Sequence, residues 1–297
     1  MTGVIVLVII LASSLSAGGK PYKQLYAVHL NGKIGFINRN GRVVIPPMFD
    51  EVLHFQDGIA PVKVGGKWGY IQENGKYLIE PRFDDARNFL VGLAAVKVGD
   101  RWGFVNTKGQ FSISLQYDFA RAFADSGDTP DENFNTARVK LKGEWLLIDT
   151  KGNVYLRPRV EDLGPLEEGL APAKVAGLWG YIDRKGKMVI PPEFEAAKGF
   201  GAALAVVERN EKWCFIDKKG AYVVPCKFDG ADEFTEDGLA PVKLEGRWGY
   251  IDRTGKLVIA PQFDGARPFE NGLAEVRTAE GYGYIDNTGR FVWKPSK

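Results

Sequence analysis

The chain has 297 residues, with 39 Lys and Arg against 37 Asp and Glu and a formal charge of +2. That balance excludes the concentrated basic surplus of a nucleic-acid protein and gives no reason to expect a polyanionic substrate. Two His and two Cys are too few for a His/Cys zinc site, a haem-attachment motif or a multi-disulfide scaffold. Gly (36) and aromatics (12%) are abundant, which points to many short strands joined by tight turns.

In chain order the first feature is a targeting segment. Val4 to Ala12 is a continuous apolar run of nine residues, too short for a membrane-spanning helix, which needs about 20. It suits the apolar region of a secretory signal peptide, and Ser13, Ser14, Ser16, Ala17, Gly18 and Gly19 supply the small residues of a cleavage zone. The expectation is a signal peptide over 1–17, cut after Ser16 or Ala17, then a short linker over 18–23. No Lys or Arg precedes the apolar run, so an uncleaved anchor is the alternative. No other stretch approaches spanning length. The mature chain is therefore expected to lack a membrane span and to reside in the periplasm, in the cell envelope or outside the cell.

From residue 24 to 297 the sequence reads as a single domain of eight copies of one unit. Segments beginning at Lys67 (KWGYIQENGKYLIEPRFDDA), Leu178 (LWGYIDRKGKMVIPPEFEAA) and Arg247 (RWGYIDRTGKLVIAPQFDGA) are plainly copies. An anchor aromatic falls at Trp68, Trp102, Trp145, Trp179, Trp213 and Trp248, with Ile34 and Tyr282 in the same place in the first and last copies. Seven residues after every anchor stands a glycine: Gly41, Gly75, Gly109, Gly152, Gly186, Gly220, Gly255 and Gly289. The pattern G-L-A-P-V-K followed by K/R-W-G-Y-I-D-x-x-G-K-x-V-I-P-P-x-F-D resembles the WG repeat, also called the KWG repeat, of bacterial proteins. That resemblance implies a non-catalytic β-repeat used for interactions.

Each copy predicts three strands. In the fifth these are Leu170 to Val175, Trp179 to Ile182 and Lys187 to Ile190. Asp183 and Gly186 supply the turn, Asp by bonding the backbone ahead of it and Gly by its positive φ. Pro191-Pro192 ends the third strand. The apolar character of both faces of the second strand predicts sheets packed on both sides. The Gly after Trp reads as a close-approach site for a neighbouring ring. Aromatics recurring 15 residues after the anchor (Phe49, Phe83, Phe263) and 21 after it (Phe55, Phe89, Phe269) are the expected mortar between copies. With room for only three strands, and all copies in phase from Leu25 to Trp293, the expected fold is all-β. Eight three-stranded antiparallel repeats of about 34 residues would form an open curved array. An eight-bladed propeller is the alternative.

The interval between Trp102 and Trp145 is longer than the others, through an insertion near 125–133. Its Asp125, Asp128, Asp131 and Glu132 form a weak calcium candidate; the spacing is not that of an EF-hand, and a solvated loop is the simpler reading. The fourth copy is the most divergent, with Leu146 in place of Gly and Val160 in place of the aromatic, and is a candidate kink.

Chemistry is sparse. His29 and His54 lack a partner motif, and HExxH, GxSxG and P-loop patterns are absent. Neither a resident metal nor a cofactor is expected. Lys63, Lys97, Lys140, Lys174, Lys243 and Arg277 recur at one position and, stacked in register, would make a basic stripe for an anionic glycan or an acidic partner surface. The repeated Asp149, Asp183, Asp217, Asp252 and Asp286 read as turn residues, and the six anchor Trp as core. Cys214 and Cys226 replace a Gly and a Pro of the repeat. A regular hairpin puts them on opposite faces, which opposes a disulfide unless the strand bends at Pro225. The reading is an exported, non-catalytic scaffold for an unknown protein partner. The alternative is a glycan or cell-wall binding module. Neither catalysis nor nucleic-acid binding is expected.

Overall fold

A computed structural model describes residues 22–30, 32–125 and 135–294. The expected signal peptide, residues 18–21 and the inserted residues 126–133 lie outside the described residues; so do Asp128, Asp131 and Glu132, and the side chain of Asp125. All regular structure among the described residues is β, in eight antiparallel sheets that follow one another in chain order. No helix among them is long and apolar enough to cross a membrane.

Blade 1 contains β1 (Leu25–Leu30), β2 (Lys33–Asn38) and β3 (Val43–Phe49). Blade 2 contains β4 (Glu51–Val52), β5 (Ile59–Val64), β6 (Lys67–Gln72) and β7 (Tyr77–Phe83), and the remaining six blades are also four-stranded. The sequence shows three of these strands. The fourth is made by the connector: Glu51 and Val52 pair with Lys63 and Val62 of β5. With two residues in most blades it has no periodicity to read. It lies nearest the axis. The third strand of the sequence pattern lies outermost, with Val44, Val189 and Val258 exposed. Its prolines, among them Pro81, Pro191 and Pro261, interrupt an otherwise open sheet edge and so discourage pairing with other chains.

The turn chemistry is as the residues suggest. Asp183 Oδ1 accepts from the backbone N–H of Lys185 at 2.8 Å and of Lys187 at 2.9 Å, and Gly186 has φ 79°. The Gly after the anchor has a different reason from the one expected. Trp179 pairs with Phe194 while Tyr181 pairs with Ile190, so the outer strand bulges between them. A Cβ on Gly180 would lie 2.4 Å from the Ile190 carbonyl oxygen and 2.8 Å from Pro192 N. The close approach is to the bulged backbone of its own blade, not to a neighbouring ring. The bulge also decides the cysteines. Position 226 comes opposite 214, and the two are joined by a disulfide with Cα atoms 4.2 Å apart. The hairpin without a bulge had separated them.

Both faces of the middle strand are buried. In blade 2, Trp68 and Tyr70 pack with Phe89, Ala94 and Val96 of blade 3, while Ile71 packs with Phe36 and Phe49 of blade 1. Two further contacts recur around the molecule. The turn glycine of each blade seats on a branched residue of the preceding one: Gly75 on Ile45, Gly109 on Ile79, Gly220 on Ile190 and Gly289 on Ile259. An acid directly follows six of the outer strands, and it ties two blades where it also accepts from the next hairpin. Asp84 pairs with Lys67 of its own blade at 2.5 Å and accepts from Gly99 N of the next at 2.8 Å, and both interactions hold its carboxyl below its ordinary pKa.

The same contacts close the ring, so the propeller and not the open array is the fold. Trp293 holds the register of Ile259 and stands against Gly41 of blade 1, its ring 3.7 Å from where a Cβ would be. Tyr284 Oη donates to Ala27 O at 2.8 Å, and Tyr26 Oη to Asn271 O at 3.2 Å. Tyr26, Val28, Ile37, Leu273 and Tyr284 form one core across the junction. Among the described residues no strand is shared between the first and last sheets, and the seal is made by side chains and their hydrogen bonds to backbone carbonyls. In-phase copies argued for an open array only if closure required a shared blade.

Truncating Trp293 to Ala is expected to cost about 2 kcal/mol in denaturant unfolding, because a partly buried aromatic leaves a cavity at the seam; a loss below about 0.5 kcal/mol, typical of an exposed chain end, contradicts closure. Cys226→Ser is expected to lose about 2–3 kcal/mol, the scale for a disulfide closing a short loop. Cys214→Gly combined with Cys226→Pro restores the pair used by most blades, and its melting temperature is expected to recover most of that loss.

Candidate functional site

The inner connectors build the centre of the ring. In six of the seven, one aromatic turns back into the blades and is held by the ring two residues after the anchor; after blade 4, Leu166 and Leu147 take these places. Phe89 meets Tyr70 at 4.7 Å, Phe123 meets Phe104 at 5.0 Å, Phe200 meets Tyr181 at 5.0 Å and Phe269 meets Tyr250 at 4.8 Å. The hydroxyls of Tyr70, Tyr181 and Tyr250 fix the same connectors by donating to the carbonyls of Arg87, Lys198 and Arg267. With the aromatic facing in, its neighbours face the axis.

These neighbours line two central cavities. One, of about 530 Å³, is walled by blades 2 to 5 and includes His54, Asn88, Arg121, Arg138 and Glu167. The other, of about 490 Å³, is walled by blades 8, 1 and 2 and includes His29, Glu270, Glu275 and Tyr284; His54 lies on both walls. Asn88 Nδ2 donates to His54 O at 2.7 Å and ties blades 2 and 3 there.

Charge is distributed unevenly. Arg138 stands at a strand position held by Pro61, Ala95, Pro172, Val206 and Pro241 in other blades, and Glu275 fills it in blade 8, four blades away. Arg138 Nη1 donates to Leu163 O. Burial and the nearby Arg121 lower its pKa to about 10, against the pull of Asp162 and Glu167. Glu167 is pushed up to about 7, first by burial and then by Glu233 and Glu168, with Arg138 opposing. Glu233 and Glu275 are also raised, chiefly by burial. Gly199 makes the space: a Cβ there would stand 1.8 Å from Glu167 Oε2. The cavity of blades 2 to 5 sets Arg87, Arg121 and Arg138 beside Glu167, and that of blades 8, 1 and 2 sets Glu270 and Glu275 beside Arg267. Such a site can bind and orient a charged group.

The residues singled out from the sequence lie elsewhere. The basic ladder runs beside the anchor aromatics: Lys63, Lys97, Lys140, Lys174, Lys243 and Arg277 pair across the strands with Trp68, Trp102, Trp145, Trp179, Trp248 and Tyr282. Lys63 leans over Trp68 at 5.8 Å and binds Glu51 at 2.6 Å, and Lys140 leans over Trp145 at 5.4 Å. In blade 6, Lys198 from the inner strand takes that place over Trp213 at 5.9 Å. Lys63, Lys140 and Lys174 thus lie over the rings of their own blades; Lys97 and Lys243 are likewise half-buried, and Arg277 is exposed. Trp68, Trp102 and Trp145 are buried; Trp179, Trp213 and Trp248 are half-buried. Gly75, Gly109, Gly186, Gly220 and Gly255 all have positive φ in the hairpin turns. His29 stacks on Tyr282 at 5.4 Å. The channel residues Arg87, Arg121, Arg138, Glu167 and Glu275 were not singled out. For Arg138 and Glu275 the signal is a departure from the repeat at one fixed position, which a search for recurring residues passes over.

A family model described as WG containing repeat matches residues 34–68, 68–102, 102–145, 147–179, 179–213, 215–248 and 248–280. Most of these matches run from one anchor to the next. No curated protein matches the chain. Among solved structures, the chain resembles the dihydro-heme d1 dehydrogenase NirN in complex with DHE. The TM-score is 0.59 at 11% identity, over 94% of this chain and 76% of that one. It also resembles a eukaryotic initiation factor (TM-score 0.57, 10% identity, 95% of this chain and 87% of that one) and the Dos1 propeller (TM-score 0.52, 10%, 91% and 89%). At these identities the likeness is of fold alone.

Glu167 holds its proton more tightly in the fold, to about pH 7, than at its ordinary 4.5. Its contribution to stability is thus full below pH 4.5 and lost as pH rises through 7. Glu167→Gln is expected to match the unaltered protein at pH 4.5 and to exceed it at pH 8, by on the order of 2–3 kcal/mol, in thermal or denaturant unfolding.

Proposed function

The chain belongs to the WG-repeat family, and we propose that it acts as an exported, non-catalytic interaction scaffold that docks an acidic surface of a partner protein. The observation that carries this reading is the face bearing the outer hairpin turns. Six of the eight turns present a basic residue: Arg39, Lys108, Lys151, Lys185, Lys219 and Arg253, all exposed. The other two present Glu73-Asn74 and Asn287-Thr288. The ring spaces these cations around one rim, and such an arrangement steers and orients an acidic surface. The turn backbone beneath them is fixed by Asx bonds and glycine, so the rim is pre-organised.

Export rests on the apolar run Val4–Ala12 and the small residues after it. A non-catalytic role rests on the employment of the recurring acids: Asp183, Asp217, Asp252 and Asp286 hold turns, and Asp50, Asp84 and Asp229 tie blades.

The test is affinity capture from cell-envelope extract with residues 18–297, compared with the triple variant Lys185→Glu, Lys219→Glu, Arg253→Glu. A reproducible protein partner at moderate salt, lost in the triple variant, is expected. Capture unaffected by the variant, or retention on cell-wall polysaccharide with no enriched protein, contradicts the proposal; the second result directs attention to glycan binding.

A further inference from the structure

The cavity among blades 2 to 5 has a construction that the scaffold reading does not use. Arg121 is exposed at its mouth, Leu90, Ala122 and Pro165 are half-buried in its wall, and Phe123, Leu147 and Leu166 are buried behind them. Arg138 lies deeper, anchored on the Leu163 carbonyl. A wall that mixes guanidinium groups with apolar side chains around about 530 Å³ suits a ligand with a charged head and an apolar body.

The charges on its wall specify the head. Arg87 is neutralised by Asp85, which it grips through both terminal nitrogens at 2.7 and 3.1 Å, and its guanidinium lies 4.8 Å from the centre of the Trp102 ring. Arg138 has Asp162 and Glu167 near it. Arg121 forms no ion pair among the described residues; its guanidinium lies over Phe119 at 5.1 Å, which orients the fork and leaves its edge for a ligand. Asp85 acts on Arg121 only from a distance, so Arg121 is the exposed guanidinium of this wall with no ion pair among the described residues, and a single such group suits a single negative charge better than two. Planar, bidentate recognition of a carboxylate is what an oriented guanidinium does best. Glu167 adds selectivity: a dianion would meet its carboxyl with twice the repulsion of a monoanion.

We propose that this cavity binds the carboxylate of an apolar organic acid, gripped by Arg121 at the mouth with Arg138 behind it. The carboxylate belongs either to a free aliphatic or aryl acid or to the C-terminus of a peptide ending in an apolar residue. The proposal stands apart from the basic rim and survives its failure.

The test is isothermal titration of the whole protein near pH 7 with five probes: 4-phenylbutyrate, its neutral amide, phenyl phosphate, and an acetylated tetrapeptide ending in Phe as free acid and as amide. At least one carboxylate is expected to bind, with its matching amide about tenfold weaker or worse. Arg121→Gln is expected to remove most of that difference while leaving the melting temperature of the ligand-free protein unchanged. Binding of the free acid alone identifies a small-molecule site; binding of the peptide acid alone identifies a C-terminus, and either supports the proposal. Equal binding of acid and amide, no binding of either carboxylate, or tighter binding of phenyl phosphate overturns it. If Arg121→Gln lowers the melting temperature, the comparison of acid with amide on the unaltered protein still decides.

Discussion

A copy of about 34 residues with two apolar faces cannot cover either of them alone. Tyr70 needs the connector of the next blade over it, and Ile71 needs the core of the preceding one. Every blade is therefore both a lid and a floor, and the two end blades of any open stack would leave one such face in water. Ring closure removes both liabilities together. Tyr26 and Tyr284, which would be the exposed aromatics at the two ends, instead pack edge to face at 5.5 Å and share one core. The residue at the seam that most resembles a designed part is Trp293. It fills, with a larger side chain, the place where Ile, Leu or Val serves the other blades, and so spans a junction at which no strand is shared.

The period, the turns and the two-sided burial were legible because they rest on local chemistry repeated eight times. Gly186 and Asp183 say the same thing in every copy, and one copy suffices to read them. What escaped depends on geometry across the sheet. The inner strand of two residues has no pattern of its own. The bulge opposite Gly180 is invisible to a regular hairpin, and with it went the placement of Cys214 against Cys226. Yet a signal existed. The Gly after the anchor and the residue 12 positions later meet across the bulge, as Gly180 and Pro192 do, and the sixth copy replaces both members at once, with Cys214 and Cys226.

The same lesson applies to the site. Apart from the exposed cations of the turn rim, the charged residues that recur help to hold the ring: acids in turns and ties, and Lys63, Lys140 and Lys174 over anchor rings. Beyond that rim, charges that break the repeat stand out, because a position that packing fills with Pro or Ala has no structural need of a charge. Arg138 and Glu275 break it at one position, and burial of such groups costs stability that apolar side chains would not. A broken rule at a concave, solvent-reachable place, with carboxyl groups displaced from their ordinary pKa beside it, is what singles this cavity out for the proposed binding test.

The account depends most on closure, since the channel exists only if blade 8 meets blade 1. Small-angle X-ray scattering of the monomeric protein measures this directly. A closed ring predicts a radius of gyration near about 19 Å, the value for a compact domain of this length, with a scattering profile of a squat cylinder. An elongated profile with a radius well above that value, at a molecular mass confirming one chain, would contradict the ring and the central cavities with it.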